Sequence, residues 1–250
     1  MQFTVKTIKA DLHIHTLLSP CGDIEMSPAN IIQVAREKQL NMIGITDHNS
    51  TRHCRLIRKL GEPFGITVLA GVEITTREEV HCLAFFDNDS SLDAFQEYIE
   101  HKIIRIPNRP QYFGYQVVLD EEENIVDEIP YMLGSALDSG VEEVEQKVHE
   151  LQGLFILAHV DRPRNSIMSQ LGFIPEGLQS EAIEISYASD MHVYLKNHPE
   201  LRKYTVVRNS DSHYPADLGR KYTHYQVESV SLEELRMALK NENGRKTIVQ

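Results

Sequence analysis

Seven short apolar runs recur along this chain, and helix-like stretches separate most of them. The runs are rich in Ile, Val, Leu and Phe, and several are continuous, as expected for strands that are covered on both faces in a parallel sheet. The alternation of strands and helices predicts an α/β fold and favours a barrel. The predicted strands are Ile8–His15, Met42–Asp47, Thr67–Glu73, Val80–Phe86, Leu154–His159, Ala182–Ser186 and Tyr204–Asn209.

Helix signals lie between these runs. Ser27 followed by Pro28 is typical of an N-cap and a first helical position, and Ser231 with Glu234 resembles a capping box. Amphipathic patterns predict further helices. They cover Thr51–Leu60, Leu92–Ile104, Gly140–Leu151 and Leu232–Leu239.

The segment 106–137 departs from this alternation, because it contains prolines, aromatic residues and the acidic run Asp120–Glu123. Gln116–Leu119 and Ile125–Ile129 could pair as a hairpin around that run, which we interpret as a solvated turn. A length of 250 residues suits one large domain. We therefore expect a single domain over 1–250, with 106–137 as an insertion or small subdomain.

Composition narrows the class of protein. The chain has 37 acidic against 25 basic residues, a net charge of −12, so we expect no extended nucleic-acid surface, although a pocket for one phosphate stays possible. We find no apolar run long enough for a membrane span and no apolar core of a signal peptide, and we expect no membrane partner. Three cysteines make a disulfide framework improbable and favour a cytoplasmic protein. The oligomeric state is left open.

The segment Asp11–His15 contains the strongest local signal for metal binding. Residues two apart in a strand face the same side, so His13 and His15 could bind one metal ion. Taken alone, this pattern could equally be a polar strand face.

Further metal-competent side chains follow other predicted strands. In parallel α/β barrels the loops after the strand ends build the active site, so these residues would converge on one pocket. They are His48, Glu73, His159, Asp211 and His213.

His81 extends this set through a predicted hairpin. A turn centred on Arg77 would pair Glu73 with His81, and opposed residues share a sheet face. Six histidines and two acids exceed the ligands of one four-coordinate ion, so we expect two or three divalent ions, of zinc, manganese or iron, with a bridging carboxylate. The other six histidines are interpreted as surface or packing residues.

With these residues in place, the sequence resembles the PHP superfamily (polymerase and histidinol phosphatase), whose members are metal-dependent phosphoesterases. The resemblance implies a distorted seven-stranded β/α barrel, similar to a TIM barrel, with a trinuclear metal site at one end. The matching motifs occur in family order and span nearly the whole chain. They are Asp11–Thr16 (DLHIHT), Thr46–His48 (TDH), Gly71–Glu73 (GVE), His81, Ala158-His159 and Ser210–His213 (SDSH).

The resemblance also implies the roles of these residues. One metal would be bound by His13, His15, Glu73 and Asp211, and Glu73 would bridge to a second that is bound by His81 and His159. A third would be bound by His48 and His213. Glu73, Asp211 and His213 would act in catalysis.

The third metal needs one more ligand from the loop after His15. The candidates are Cys21, which would bind as a thiolate, and Asp23, which suits harder metals. We favour Asp23 and keep Cys21 as the alternative.

The predicted chemistry is hydrolysis by metal-activated water without a covalent intermediate, because the chain has no G-x-S-x-G motif and no phosphate-binding G-x-x-x-x-G-K-[ST] loop. Three arginines in loops near the pocket could bind phosphate. They are Arg162, Arg164 and Arg220.

The favoured function is a phosphatase that acts on a small phosphorylated substrate, such as a nucleotide phosphate or a compound like histidinol phosphate. One alternative is exonuclease-like release of nucleotides from oligonucleotide ends. A second is a non-catalytic metal-binding module, which loss of several ligands would have indicated. A third is a hydrolase of C–N bonds, which a lysine in the bridging position would favour, whereas Glu73 occupies it.

Overall fold

All seven predicted strands are present in one sheet of the computed structural model, which describes residues 5–249. Four more strands complete the fold: a separate pair within the segment 106–137 and two near the carboxyl end of the chain. In chain order the strands are β1 (Lys6–Ile14), β2 (Met42–Ile45), β3 (Thr67–Thr75), β4 (His81–Phe86), β5 (Val117–Leu119), β6 (Ile125–Glu128), β7 (Leu154–Leu157), β8 (Ala182–Glu184), β9 (Val206–Val207), β10 (Thr223–Val227) and β11 (Lys246–Ile248).

The main sheet has nine strands, so the predicted count of seven is wrong. Its order is β11-β10-β1-β2-β3-β4-β7-β8-β9, and the two unpredicted strands, β10 and β11, are antiparallel additions beside β1. In β10 the buried Thr223, Tyr225 and Val227 alternate with half-buried residues, and β11 is largely exposed. Neither strand forms the continuous apolar run that identified the others.

The sheet nearly closes into a barrel at the carboxyl end of β1. Ser212, which follows β9, forms a parallel bridge with Ile14. His15 N–H donates to the Ser212 carbonyl (3.0 Å), and Ser212 N–H donates to that of His13 (3.2 Å). β1 therefore pairs with β10 at its start and with the chain after β9 at its end. The predicted barrel-like α/β architecture is confirmed.

Most of the helices pack on the outer face of this sheet, and the last one packs on its inner face. The helices are α1 (Pro28–Glu37), α2 (Cys54–Gly61), α3 (Asp89–Lys102), α4 (Pro110–Phe113), α5 (Val141–Glu150), α6 (Ile167–Gln170), α7 (Met191–Asn197) and α8 (Leu232–Lys240), with 3₁₀ turns at Glu62–Phe64, Pro199–Lys203 and Pro215–Asp217. Ser27 caps α1 as predicted. Ser231 caps α8, but the Glu234 carboxylate accepts from Glu228 N–H and pairs with Arg245, so the reciprocal capping box does not form.

The apolar residues form two main cores on opposite faces of the sheet. The inner core includes Leu69, Leu83 and Phe85, whose strand positions share a face with Glu73 and His81. The outer core packs the other sheet face against the helices. The inner core therefore lies on the same sheet face as the polar residues at the strand ends and packs against them.

The segment 106–137 contains the predicted hairpin, because β5 and β6 pair antiparallel. Its turn is closed by Asp120, whose Oδ1 accepts the N–H groups of Glu122 and Asn124. Val118 lies in a small apolar cluster with Leu18, so the hairpin packs beside the loop that follows β1. Within residues 5–249, none of the helices combines the length and the apolar character that a membrane crossing requires.

Candidate metal centre

The carboxylate of Glu73 lies at the centre of five imidazole rings. Its side chain is only 1% exposed. Oε1 lies 2.9 Å from His81 Nδ1, 3.0 Å from His159 Nε2 and 3.3 Å from His13 Nε2. Oε2 lies 3.1 Å from His48 Nδ1 and 3.3 Å from His15 Nε2. Each oxygen thus faces its own group of histidines, an arrangement that suits a carboxylate between two cations.

Backbone pairing places these groups beside one another. Glu73 N–H donates to the Asp47 carbonyl, and Asn49 N–H donates to the Glu73 carbonyl, so His48 is held directly alongside Glu73. The predicted pairing of Glu73 with His81 is wrong, because Thr75 pairs with His81 and Glu73 with Leu83. The error is two residues, so it preserves the sheet face, and the predicted meeting of the two side chains is found.

A β-bulge in β1 orients the first histidine pair. Asp11 pairs with Ile43 but Ile14 with Ile45, so β1 has one residue more than β2 in this stretch. As a result Leu12 lies in the inner core and Ile14 in the outer one, although they are two residues apart. His13 and His15, at the end of this stretch, then face Glu73 together.

Asp211 completes the group around this pair. Its Oδ1 lies 3.3 Å from His13 Nε2 and 3.4 Å from His15 Nε2. Asp211 has φ 48° and His159 has φ 25°, both in the left-handed region that non-glycine residues rarely adopt. Such conformations cost of order 1–3 kcal/mol each and concentrate at functional sites, where the surroundings hold them.

The loop after β1 brings Cys21, and not Asp23, to the remaining histidines. The thiol of Cys21 and one ring nitrogen each of His15, His48 and His213 all lie within 4.8 Å of one another. Asp23 belongs to none of the possible metal-binding groups within residues 5–249, and its Oδ1 accepts Glu25 N–H. The carboxylate is thus used within its own turn.

Two acidic residues that were not predicted hold the histidine rings. Glu184 Oε2 lies 2.9 Å from His13 Nδ1, which fixes the proton on that nitrogen and leaves Nε2 facing Glu73. Asp47 accepts the Ser19 hydroxyl (2.7 Å), which in turn contacts His15 Nδ1 (3.0 Å). The one available signal for Glu184 was an acid inside the apolar run Ala182–Ser186.

The charges of the site depend on one another. Burial would raise the pKa of Glu73, but His81, His13 and His48 hold it well below its ordinary value. Burial would lower the pKa of His15, but hydrogen bonds to Asp211 and Glu73 raise it to about 9. The neighbouring carboxylates also raise the pKa of His13, whereas burial lowers the pKa of His48 and that of His213.

The donor set fits divalent metal ions. The buried atoms His13 Nε2, His15 Nε2 and His48 Nδ1 have no hydrogen-bond partner in the described part of the chain. Buried polar atoms without partners are costly in a protein interior, and metal coordination would satisfy them. Imidazole and carboxylate together suit zinc, iron or manganese.

The three predicted phosphate-binding arginines differ in their surroundings. Arg162 pairs with Asp211 at the edge of the cluster. Arg220 is anchored elsewhere: it donates to the Ser210 carbonyl, pairs with Asp217, and has its Cζ 3.2 Å from the centre of the Tyr187 ring. Arg164 is exposed and forms no ion pair within residues 5–249. Only Arg162 is thus in contact with the cluster.

The chain has recognisable relatives among known proteins. A family model described as the PHP domain matches residues 11–160. The uncharacterized protein MJ1587 of Methanocaldococcus jannaschii is 42% identical across 28% of this chain and 46% of its own length. The uncharacterized protein YqxK of Bacillus subtilis is 23% identical across 98% of this chain and 65% of its own length. The chain thus spans less than two thirds of either relative.

Two crystal structures of Endonuclease Q share the fold. The lesion-specific endonuclease from Pyrococcus furiosus has a TM-score of 0.70 at 23% identity, covering 97% of this chain and 58% of that one. A complex with a 27-mer duplex substrate, which has an abasic lesion at the active site, has a TM-score of 0.72 at 22% identity, covering 96% and 58%.

This likeness corrects one expectation. The expected lack of an extended nucleic-acid surface is wrong, because a protein of the same fold is seen with a 27-mer duplex at its active site. The expectation rested on the net charge of −12, which is a sum over the whole chain. Binding to a polyanion depends instead on where the cations lie, and bound metal ions reverse the local charge.

Proposed function

The chain belongs to the PHP domain family, and on that premise we propose that it is a metal-dependent hydrolase of phosphoester bonds. The environment of Glu73 carries the proposal. One buried carboxylate lies within 3.3 Å of nitrogens from five histidines, with different histidines at each oxygen. A purely structural carboxylate would be satisfied by far fewer donors, whereas a carboxylate between two cations needs ligands on both sides.

We assign the ligands from this geometry. His13, His15 and Asp211 would hold one ion with Glu73, and His81 and His159, which face Oε1 of the same carboxylate, would hold a second. His48 and His213 would hold a third with Cys21, which takes the place that we expected for Asp23. Divalent cations bound there would lower the pKa of water to about 7 and stabilise the leaving oxygen. Zinc, manganese and iron all suit these donors.

The side chains of this chain contribute orientation and charge. Arg162 lies beside Asp211 with a side chain that is 35% exposed, so it can turn from the carboxylate to a phosphate oxygen. Glu184 fixes the tautomer of His13, and Asp47 supports His15 through Ser19. These contacts hold the ligands in place before a substrate arrives, which lowers the cost of binding the transition state.

We propose phosphodiester bonds of nucleic acid as the substrate. Endonuclease Q, whose fold this chain shares across nearly its whole length, is described with an abasic lesion of a duplex at its active site. A single arginine at the cluster also suits a diester better, because a diester carries one negative charge and a terminal phosphate nearly two. This is the nuclease alternative of the sequence analysis, broadened from oligonucleotide ends to internal bonds.

Deep burial favours a second candidate, hydrolysis of a small phosphomonoester. The side chains of His13 and His15 are fully buried, and His213 is the most accessible histidine of the cluster at 22%. A recessed centre of this kind admits a small ester without strain, whereas a duplex must distort to reach it. The two candidates therefore differ in which substrate the loaded enzyme turns over.

The test uses protein that is stripped with chelator and reloaded separately with Mn²⁺, Zn²⁺ or Fe²⁺. The substrates are an oligonucleotide duplex with an abasic site, an intact single strand and p-nitrophenyl phosphate. We expect metal-dependent cleavage of an oligonucleotide and its loss in Glu73→Gln, with exposed Glu233→Gln as the control. Turnover of p-nitrophenyl phosphate alone would replace the first candidate with the second. Full activity after metal removal would refute both.

A further inference from the structure

We propose that residues 104–115, which we call the arm, bind an unpaired stretch of nucleic acid next to the metal centre. This inference rests on the proposed function and names the surface that receives the strand. The arm lies in the segment that departs from the strand–helix alternation, and it takes no part in the metal cluster. Its charge, exposed aromatic rings, internal hydrogen bonds and position all support such a role.

The charge of this region is opposite to that of the chain. From His101 to Leu119 the sequence contains Lys102, Arg105 and Arg109 but no Asp or Glu, within a chain of net charge −12. Lys102 pairs with Glu143. Neither Arg105 nor Arg109 forms an ion pair with any residue between 5 and 249. Arg105 donates to the Glu100 carbonyl and stacks on Tyr131, so Arg109 is the cation of the arm that is most available to an anionic partner.

Aromatic rings stand exposed beside these arginines. Tyr112 is 74% exposed, Tyr115 66% and Phe113 47%, in a protein that has no tryptophan and buries four of the seven phenylalanines that the structure describes. The rings of Tyr112 and Phe113 meet edge to face with centroids 6.4 Å apart. Exposed rings interleaved with arginine form the usual platform for single strands, because bases stack on the rings while cations contact the phosphates.

The arm is held in one conformation by its own hydrogen bonds. Asn108 Nδ2 donates to the Gly114 carbonyl (3.0 Å), and Gly114 N–H donates to that of Pro110 (2.9 Å). Gly114 has φ 76°, which a residue with a side chain would adopt only with strain. A preformed platform loses less conformational entropy when it binds a strand.

A ribbon connects the arm to the metal centre. Residues 104–108 pair with 130–136 through bonds such as Met132 N–H to the Ile106 carbonyl (2.8 Å). Asn49, next to His48, donates from Nδ2 to the carbonyls of Leu133 (2.7 Å) and Ser135 (2.8 Å). Residues 133–135 of the ribbon are therefore hydrogen-bonded directly to the loop that carries His48.

A cavity of about 630 Å³ lies along this ribbon. Arg109, Phe113 and Ile106 line it from the arm, and Glu79, two residues before His81, lines it from the hairpin between β3 and β4. Gly134, also in its wall, approaches the ring of Pro20, which precedes Cys21. The groove thus lies between two loops that bear metal-binding side chains.

The partner is an unpaired strand because the rings need open base faces. In a regular duplex each base is stacked between its neighbours, so the exposed Tyr112 and Tyr115 could reach only the backbone. A lesion, a frayed end or a single strand offers unstacked bases. The requirement distinguishes this surface from one that binds any polyanion by charge alone.

The experiment measures strand binding by fluorescence anisotropy, with chelator present so that no cleavage occurs. The probes are a labelled 15-mer single strand and the matching intact duplex. We expect the single strand to bind more tightly, and the double variant Tyr112→Ala/Tyr115→Ala to weaken it about tenfold or more. Arg109→Ala should weaken binding and reduce its salt dependence. The control is Phe64→Ala, which removes an exposed ring stacked by Arg36 at the opposite end of the barrel.

Unchanged single-strand affinity in the double variant would overturn the proposal. So would equal loss in Phe64→Ala, or sedimentation that shows self-association lost in the double variant while strand affinity persists, because the arm would then be a protein interface. Wild-type hydrolysis of bis(p-nitrophenyl) phosphate with Mn²⁺ tests the proposed function separately. Failure of that assay with Mn²⁺, Zn²⁺ and Fe²⁺ alike would refute the phosphodiester proposal, while the anisotropy measurements would still decide the role of the arm.

Discussion

The two ends of the barrel each bury a glutamate among basic groups, and the difference between them is instructive. At the carboxyl ends of the strands, Glu73 meets five histidines, and the facing nitrogens of His13, His15 and His48 lack hydrogen-bond partners in the described part of the chain. At the opposite end, Glu181 accepts from Phe155 N–H (2.9 Å), His149 Nε2 (3.3 Å) and Arg236 Nη1 (2.7 Å).

The two clusters therefore contain similar residues but differ in whether their polar atoms have hydrogen-bond partners within the protein. Glu181 has its acceptors filled by donors of the protein, so its cluster is complete as folded. The Glu73 cluster keeps several imidazole nitrogens without hydrogen-bond partners, which metal ions would satisfy. A concentration of unsatisfied nitrogens around one carboxylate, and not burial or charge as such, therefore distinguishes this cluster from the ion pairs of Glu181.

The largest effect is expected from a substitution that disrupts only the cluster around Glu73. Glu73→Gln keeps the size of the side chain but removes the negative charge between the ions, so we expect phosphoesterase activity to fall about a thousandfold or more and bound metal to decrease. Elemental analysis and turnover of the loaded protein measure this. The counterpart Glu181→Gln should keep metal content and rate, and lose about 1–3 kcal/mol of unfolding free energy.

Removal of metal ions by a chelator should lower the stability of the folded protein through the Glu73 cluster and not through the Glu181 cluster. Ions that bind only the folded chain stabilise it by about 2.7 kcal/mol at a hundred times their Kd, so EDTA should lower Tm by about 5–10 °C. The shift should vanish in Glu73→Gln and persist in Glu181→Gln, as differential scanning calorimetry would reveal. An equal shift in both variants would mean that the ions bind somewhere else.

A smaller effect is expected at the proposed third metal site, which contains His48 and His213. With Cys21 and not Asp23 beside His48 and His213, we expect Cys21→Ser to lower metal content and activity at least about tenfold. Asp23→Asn is the matched control and should stay near wild type. Loss in Asp23→Asn, with Cys21→Ser silent, would restore the original assignment and require the loop to rearrange.

The smallest effect is expected in the pH dependence of unfolding free energy that the Glu181 cluster contributes. A hydrogen bond to Glu181 raises the pKa of His149 above its ordinary 6.5, so the folded state binds this proton more tightly than the unfolded state. The stability it contributes is complete below pH 6.5 and is lost as the pH rises through the raised pKa. Urea unfolding in EDTA should show the difference between wild type and His149→Gln shrinking with rising pH. A constant difference would show that His149 acts through packing alone.

Local pattern alone identified most of the residues that meet around Glu73. A strand turns its side chains with a period of two, and parallel strands end at one edge of the barrel, so His13, His15, Glu73, His159 and Asp211 could be placed together without coordinates. An error of two residues in the β3–β4 register left Glu73 and His81 on one face. Periodicity is a property of neighbours along the chain, which explains why it survives such an error.

The tertiary structure decided what depends on contacts between distant segments. The bulge in β1, the support of His13 by Glu184 and the choice of Cys21 over Asp23 all follow from how separate strands and loops pack. The charges of the arm are visible in the sequence but hidden in the net charge, and only the fold fixes the arm to the loop that carries His48. Sequence determined which side chains could bind metal and at which end of the barrel, and packing determined which atoms reach one another, since that requires distances between residues far apart in the chain.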